Sequence, residues 1–138
     1  MSDKKSPAAR RGILYGYRSG LEETIAKQIE AAGHPVVFEA DKFSYTWPSR
    51  KSKYTPDFRI ARKDGSVFYV ETKGRFMADD RQKHLLLKEV PSAPEIRFVF
   101  SRSKTTISKT SKTTYARWCE THGFQYADKA IPDSWFNE

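Results

Sequence analysis

The segment from Thr55 to Gly74 limits the fold more than any other part of the chain. Residues 57–62 and 66–73 each read as a strand, and Lys63-Asp64-Gly65 stands between them. A three-residue hairpin loop with glycine last, in the left-handed position, is a common way to join two antiparallel strands. Such a loop pairs Arg62 with Ser66, and counting back then sets Asp57 directly opposite Glu71. Directly opposite residues share a face of the sheet, and Lys73 shares it too because side chains alternate with a period of two. An even-numbered loop without a bulge would turn Asp57 to the wrong face. The turn chemistry therefore predicts a sheet edge where Thr55-Pro56-Asp57-Phe58 meets Glu71-Thr72-Lys73-Gly74.

Strands and helices alternate around this hairpin. Ser19 opens a helix with the apolar stripe Leu21, Ile25, Ile29 and Ala32, and Gly33 and Pro35 stop it. Residues 36–39 read as a strand, and Phe43, Tyr45 and Trp47 alternate as a second extended segment. Residues 48–53 are polar, basic and the most linker-like piece of the chain. They form either an ordinary loop or a bridge between halves that belong to different subunits. Asp79-Asp80 begins a second helix through Val90, with acids where the helix dipole favours them, and Pro91 and Pro94 end it. Residues 96–101 read as a buried strand. Thr113 or Thr114 opens a third helix, in which Tyr115, Trp118, Cys119 and His122 recur at helical spacing before Gly123. A short strand at 124–127 and an end containing Trp135 complete an α/β/α sandwich around one mixed sheet. Residues 1–17 form a basic arm, unpatterned and expected to be disordered at least to residue 11 until bound; residues 13–17 suit a short strand or an exchangeable arm.

At 138 residues the chain is the length of one domain, here placed at 18–138, with apolar and aromatic content enough for a core. One cysteine, Cys119, excludes an internal disulfide framework and suits a reducing cytosol. With no membrane-length apolar run and no apolar core behind the basic N-terminus, neither a transmembrane helix nor a signal peptide is expected. The net charge of +8 favours a polyanionic partner. Lys4, Lys5, Arg10, Arg11 and Arg18 crowd the start of the chain against a single acid, Asp3. Arg102, Lys104, Lys109, Lys112 and Arg117 occupy a stretch with no acid, interleaved with serine and threonine. A solvated basic surface is the plainer reading, but hydroxyls among cations are the set that contacts phosphates. With Arg50, Lys51 and Lys53 of the linker-like piece, these stretches are the expected DNA-backbone contacts.

Asp57 and Glu71 are the metal candidates, since Mg²⁺ takes hard oxygen ligands and needs only one or two carboxylates beside a substrate phosphate. Lys73 can position an attacking water or stabilise charge on phosphoryl oxygens, and the Thr72 carbonyl is an additional possible ligand. Spacing alone leans the other way, to a salt bridge of these acids with Lys73 and no catalysis. Glu22 likewise has two readings. Ser19-Gly20-Leu21-Glu22 is a capping-box pattern, which pattern alone favours; the other reading is a third carboxylate for a second metal ion. His34, His84 and His122 are scattered and make no zinc site with one cysteine. His84 is expected on a surface-facing side of its helix, and Cys119 in the core. Phe43, Tyr45 and Trp47 could stack on bases, but core or interface is favoured. No Walker loop, dinucleotide fingerprint or nucleophile elbow is present.

Taken in order, Arg18-Ser19-Gly20-Leu21-Glu22, Tyr54-Thr55-Pro56-Asp57-Phe58 and Glu71-Thr72-Lys73-Gly74 resemble the phage endonuclease I family of junction-resolving enzymes, within the PD-(D/E)xK nuclease superfamily. Asp79-Asp80-Arg81, Lys83-His84-Leu85-Leu86, Val99-Phe100-Ser101, Cys119-Glu120, His122-Gly123, Ala127-Asp128-Lys129 and Ile131-Pro132 extend the resemblance to nearly the whole chain. It implies a restriction-endonuclease-like fold and a homodimer that binds four-way (Holliday) DNA junctions by shape. Such a dimer makes paired nicks in opposed strands with Mg²⁺ or Mn²⁺, two ions per active site, in the cytoplasm of a phage-infected bacterium. Carried over by position, the catalytic set is Glu22, Asp57, Glu71 and Lys73. Asp57, Glu71 and the Thr72 carbonyl hold metal, and Glu22 serves the second ion. In the family the subunits exchange N-terminal segments, which would set Glu22 of one chain beside Asp57, Glu71 and Lys73 of the other, with a bridge near residues 44–54. This sequence departs in a longer hairpin between Asp57 and Glu71, and in lacking the lysine-rich stretch expected after Trp135. The alternatives are a sequence-directed nuclease of the same fold, for which no added helix-turn-helix reader is visible, and a catalytically silent module that binds branched DNA.

Overall fold

In the computed structural model, which describes residues 19–47 and 50–138, the first boundary falls at Ser19. The Ser19 hydroxyl accepts from the Glu22 N–H at 3.1 Å and caps helix α1 (Gly20–Ala31). Gly33 lies just past the helix at φ +82°, a left-handed backbone that a side chain resists. Two short strands follow, β1 (Phe43–Trp47) and β2 (Arg50–Tyr54), and then β3 (Phe58–Ala61) and β4 (Val67–Lys73). Helix α2 (Ala78–Lys88), strand β5 (Ile96–Phe100), helix α3 (Tyr115–His122), strand β6 (Tyr126–Asp128) and the single turn α4 (Asp133–Phe136) complete the order. Thr114 caps α3 by accepting from the Arg117 N–H at 3.1 Å.

The central sheet runs β3-β4-β5-β6, with β3 antiparallel to β4 and the other neighbours parallel. The β3–β4 register is the one the turn predicts. Ala61 pairs with Val67 and Phe58 with Val70, so one further step out sets Asp57 opposite Glu71. The Arg62 N–H donates to the Ser66 carbonyl at 2.7 Å, and Gly65 closes the loop at φ +89°.

Alternation then sorts the strands' side chains into two cores. Phe58, Ile60, Phe68, Val70 and Val99 pack against Ile25, Ala26 and Ile29 of α1, with Ile131 and Trp135. Tyr69, Phe98 and Phe100 face the other way, onto Phe76, Leu87, Tyr115, Trp118 and Cys119. The layers are therefore helix, mixed sheet, helix, as predicted. Arg97 sits within the first core at 2% exposure, its guanidinium 3.8 Å from the centre of the Phe68 ring. Hydrogen bonds to Glu95 and Glu138 satisfy its charge and tie down the end of the chain.

Four local expectations change. Residues 36–39 make only a single bridge, Phe38 to Phe58, because Glu39 turns into the left-handed region at φ +49° and ends the extended run. Of the linker-like residues 48–53, those from Arg50 onward form β2, since pairing with β1 overrides their polar, basic composition. Helix α2 stops at Lys88, short of Val90. His84 is fully buried, not on the surface: α2 turns His84 and Leu87, one turn apart, toward the sheet, and the imidazole packs 4.8 Å from the Phe98 ring. Cys119 is in the core as expected, and burial pushes its thiol up to about 12. Residues 1–18, with the arm and the strand expected at 13–17, and Pro48 and Ser49 lie outside the described residues. Among the described residues no helix is long and apolar enough to cross a membrane.

Candidate active site

Pro56 precedes β3, and Asp57 lies one residue before the strand's first paired position. Being outside the strand, Asp57 is not held to its alternation. Its Oδ2 accepts from the Thr72 N–H at 2.9 Å and from the Thr72 hydroxyl at 2.8 Å. Thr72 alternates with Glu71 and Lys73, so these bonds draw the Asp57 carboxylate toward the α1 side while Glu71 still lies near enough to raise its pKa. On that side a Glu22 carboxylate oxygen, a Glu39 carboxylate oxygen and an Asp57 carboxylate oxygen all lie within 4.8 Å of one another. Ser19 caps the helix through the Glu22 backbone, and the Glu22 carboxylate lies with those of Glu39 and Asp57.

Glu71 and Lys73 project to the α2 side. The Tyr54 hydroxyl donates to Glu71 Oε1 at 2.6 Å, and Lys73 Nζ lies 3.2 Å from Glu71 Oε2. Asp80, in the first turn of α2, approaches Lys73 Nζ at 3.4 Å and Lys83 Nζ at 3.6 Å. The end of the β3–β4 pair is therefore a carboxylate wall with the Lys73 ammonium set into it.

Glu39 and Asp80 are neighbours that sequence reasoning did not single out. Glu39 arrives through tertiary pairing, its N–H donating to the Asp57 carbonyl at 2.8 Å. Nothing local marks it. Asp80 carries a signal, since it falls one helical turn before His84 and Lys83 on a helix that begins soon after Lys73.

The electrostatics follow from this crowding. Burial pushes the Asp57 carboxyl up to about 7, Glu71 adds to the rise and Glu22 adds less, while the two Thr72 hydrogen bonds pull it down. Burial works against the Lys73 ammonium, but Glu71 and Asp80 outweigh it and hold the pKa above its ordinary value. Lys73 is thus a fixed cation at neutral pH, suited to donating hydrogen bonds and not to taking up a proton. Burial, then the charge of Glu71, keeps the Tyr54 phenol protonated. Burial, then Lys83 and Lys73, keeps His84 neutral. Buried carboxylates that repel one another, with oxygen donors only, fit a hard divalent cation. The donor set contains no sulfur and no accessible imidazole.

The expected DNA-contact residues divide. Lys53, Arg102, Lys104, Lys109 and Lys112 are exposed. The loop bearing the last four is pinned at its base, where Ser103 donates from its N–H and hydroxyl to the Asp128 carboxylate at 2.6 and 2.7 Å. Lys4, Lys5, Arg10, Arg11 and Arg18, and the side chains of Arg50 and Lys51, lie outside the described part of the structure.

Carboxylates and an ammonium gathered at one end of a mixed sheet are the equipment of a metal-dependent nuclease. Residues 2–138 match the family described as phage endonuclease I. The chain is similar to "Endonuclease I" of Escherichia phage T7, with 43% identity over 122 residues, which are 88% of this chain and 79% of that protein. It is similar also to "Endodeoxyribonuclease 1" of Enterobacteria phage T3, with 42% identity over 125 residues, 91% of this chain and 80% of that protein. The chain belongs to the phage endonuclease I family.

The Asp57 environment sets a stability test. With its pKa raised from 3.8 to about 7, the folded protein keeps a proton over a window in which the unfolded chain has lost it. That contribution is full below pH 3.8 and is lost as pH rises to about 7, a change on the order of 4 kcal/mol. Asp57→Asn keeps an acceptor for Thr72 and removes the charge. Thermal melts with chelator present should show the variant gaining over the parent from pH 4 to 7, with a constant advantage above. A difference that does not change with pH would contradict the crowded-carboxylate description.

Proposed function

We propose that this protein is a structure-selective endodeoxyribonuclease that resolves four-way and other branched DNA junctions by paired, metal-dependent nicks. The observation that carries the reading is the convergence of Glu22, Asp57, Glu71 and Lys73 at one end of the sheet. Membership of the phage endonuclease I family supports it. So do the names of the T7 and T3 relatives, an endonuclease and an endodeoxyribonuclease.

Asp57 and Glu71, with the Thr72 carbonyl, would hold a divalent cation, Mg²⁺ with Mn²⁺ able to replace it, and Glu22 would serve a second. When bound, such cations supply positive charge beside the scissile phosphodiester and ease deprotonation of the attacking water. The protein's own part is orientation and charge. Thr72 fixes the Asp57 carboxylate through two hydrogen bonds. Lys73, kept cationic, donates to the water or to the phosphoryl oxygens as negative charge builds on them. Water attacks phosphorus in line with the departing 3′ oxygen, the P–O3′ bond breaks, and the products are a 5′-phosphate and a 3′-hydroxyl. The exposed cations Lys53, Arg102, Lys104, Lys109 and Lys112 would hold the DNA backbone. The enzyme would act in the cytoplasm of the infected bacterium.

Paired nicks call for two sites, and we read the active form as a homodimer with exchanged N-terminal segments. The β1–β2 register is one that β1 of one chain and β2 of another can form equally. Formed in that way, it carries α1, with Glu22, to the partner.

Two experiments test these statements. Asp57→Ala or Glu71→Ala should abolish cleavage of a four-way junction and leave binding intact, and Lys73→Ala should lower kcat by about 10²–10³-fold. Full activity in either carboxylate variant would remove that residue from the mechanism. Verified heterodimers of Glu22→Ala with Lys73→Ala should regain nicking on one side, because exchange places both lesions in one site and leaves the other whole. No recovery would assign each site to a single chain.

A further inference from the structure

Tyr54 is the last residue of β2, and it stands where the hairpin meets the site. Its side chain is 3% exposed, and its hydroxyl reaches Glu71 Oε1 at 2.6 Å. Lys73 takes the other oxygen, Oε2, at 3.2 Å. The two ends of the Glu71 carboxylate are thus engaged by different elements, which fixes its plane and not merely its position. The Tyr54 ring is itself held from two directions. His84 stands edge-on at 5.0 Å between centroids, and Lys83 Nζ lies 5.2 Å from the ring centre. His84 is wedged in turn against Phe98. A ring boxed in this way can present its hydroxyl at only one place.

We propose that Tyr54 is a positioning residue for the Glu71 carboxylate, coupling the docking of the β1–β2 hairpin to the orientation of a metal-ligand oxygen. The inference rests on the reading of Glu71 as a ligand. A carboxylate that binds metal is usually held by a hydrogen-bond donor, and loss of such a partner typically lowers metal affinity or activity 10–100-fold. Core packing alone would explain why the buried phenol finds some acceptor. It would not make metal affinity depend on that bond. The two roles therefore separate experimentally.

The test uses Tyr54→Phe in the full-length protein, which keeps the ring and its packing. Tyr45→Phe, which removes a buried hydroxyl from the same hairpin, is the control. Mn²⁺ binding is measured by calorimetry without DNA, and Mg²⁺ is titrated in junction cleavage. Tyr54→Phe should bind Mn²⁺ about 10–100-fold more weakly and need correspondingly more Mg²⁺ for half-maximal cleavage, with kcat recovering at saturating metal. Tyr45→Phe should match the parent in both. A parental Mn²⁺ affinity in Tyr54→Phe, or equal losses in the two variants, would overturn the positioning role. Both binding measurements are made below the melting temperature, so a loss of stability does not obscure the result. A parent protein that neither binds Mn²⁺ nor cleaves would instead sink the nuclease reading, and this inference with it.

Discussion

Two hydrogen bonds from Thr72 to one oxygen of Asp57 join the start of β3 to the end of β4. The crowding of acids at the strand end involves that tie. It fixes the buried Asp57 carboxylate where the charges of Glu71 and Glu22 act on it. With it, the Asp57 carboxylate comes close to those of Glu22, Glu39 and Glu71. Burial raises the Asp57 carboxyl to about 7, and the neighbouring Glu71 charge adds to the rise.

The remaining architecture makes the crowding tolerable. On one face α1 is anchored by Ile25, Ala26 and Ile29, and on the other α2 and α3 are held through Phe76, Leu87, Trp118 and Cys119. Apolar burial on both faces supplies the stability against which the charged end is held. Lys73 is the local counterweight, and Asp80 and Glu71 in turn hold Lys73 in place. The hairpin adds a further restraint through Tyr54. The site is thus assembled from both helical layers and from the hairpin, so separate elements must be docked before the carboxylates come together.

What could be read from the sequence was what is local. The Lys63-Asp64-Gly65 turn fixes a register by backbone geometry alone, and the pairing of Phe58 with Val70 follows from it. The caps at Ser19 and Thr114 are likewise written in a few adjacent residues. Glu22 could not be decided by pattern, because a capping box and a site carboxylate use the same residue; the structure shows the Ser19 cap on its backbone N–H and its carboxylate near Glu39 and Asp57. Glu39 was invisible because its place comes from the Phe38–Phe58 bridge, a contact between distant segments. His84 was misplaced because its burial comes from tertiary packing, with α2 turning the imidazole into an aromatic core. β2 was hidden under a basic composition that suits a linker.

The central claim is that this buried carboxylate cluster cuts DNA and chooses its substrate by branching. Cleavage of a labelled four-way junction beside a linear duplex of the same sequence, with Mg²⁺ and with chelator, tests it most directly. Paired nicks confined to the junction and dependent on the metal are the predicted result. Equal cutting of both substrates would contradict junction selectivity, and tight junction binding with no metal-dependent cleavage would contradict the catalytic role of the cluster.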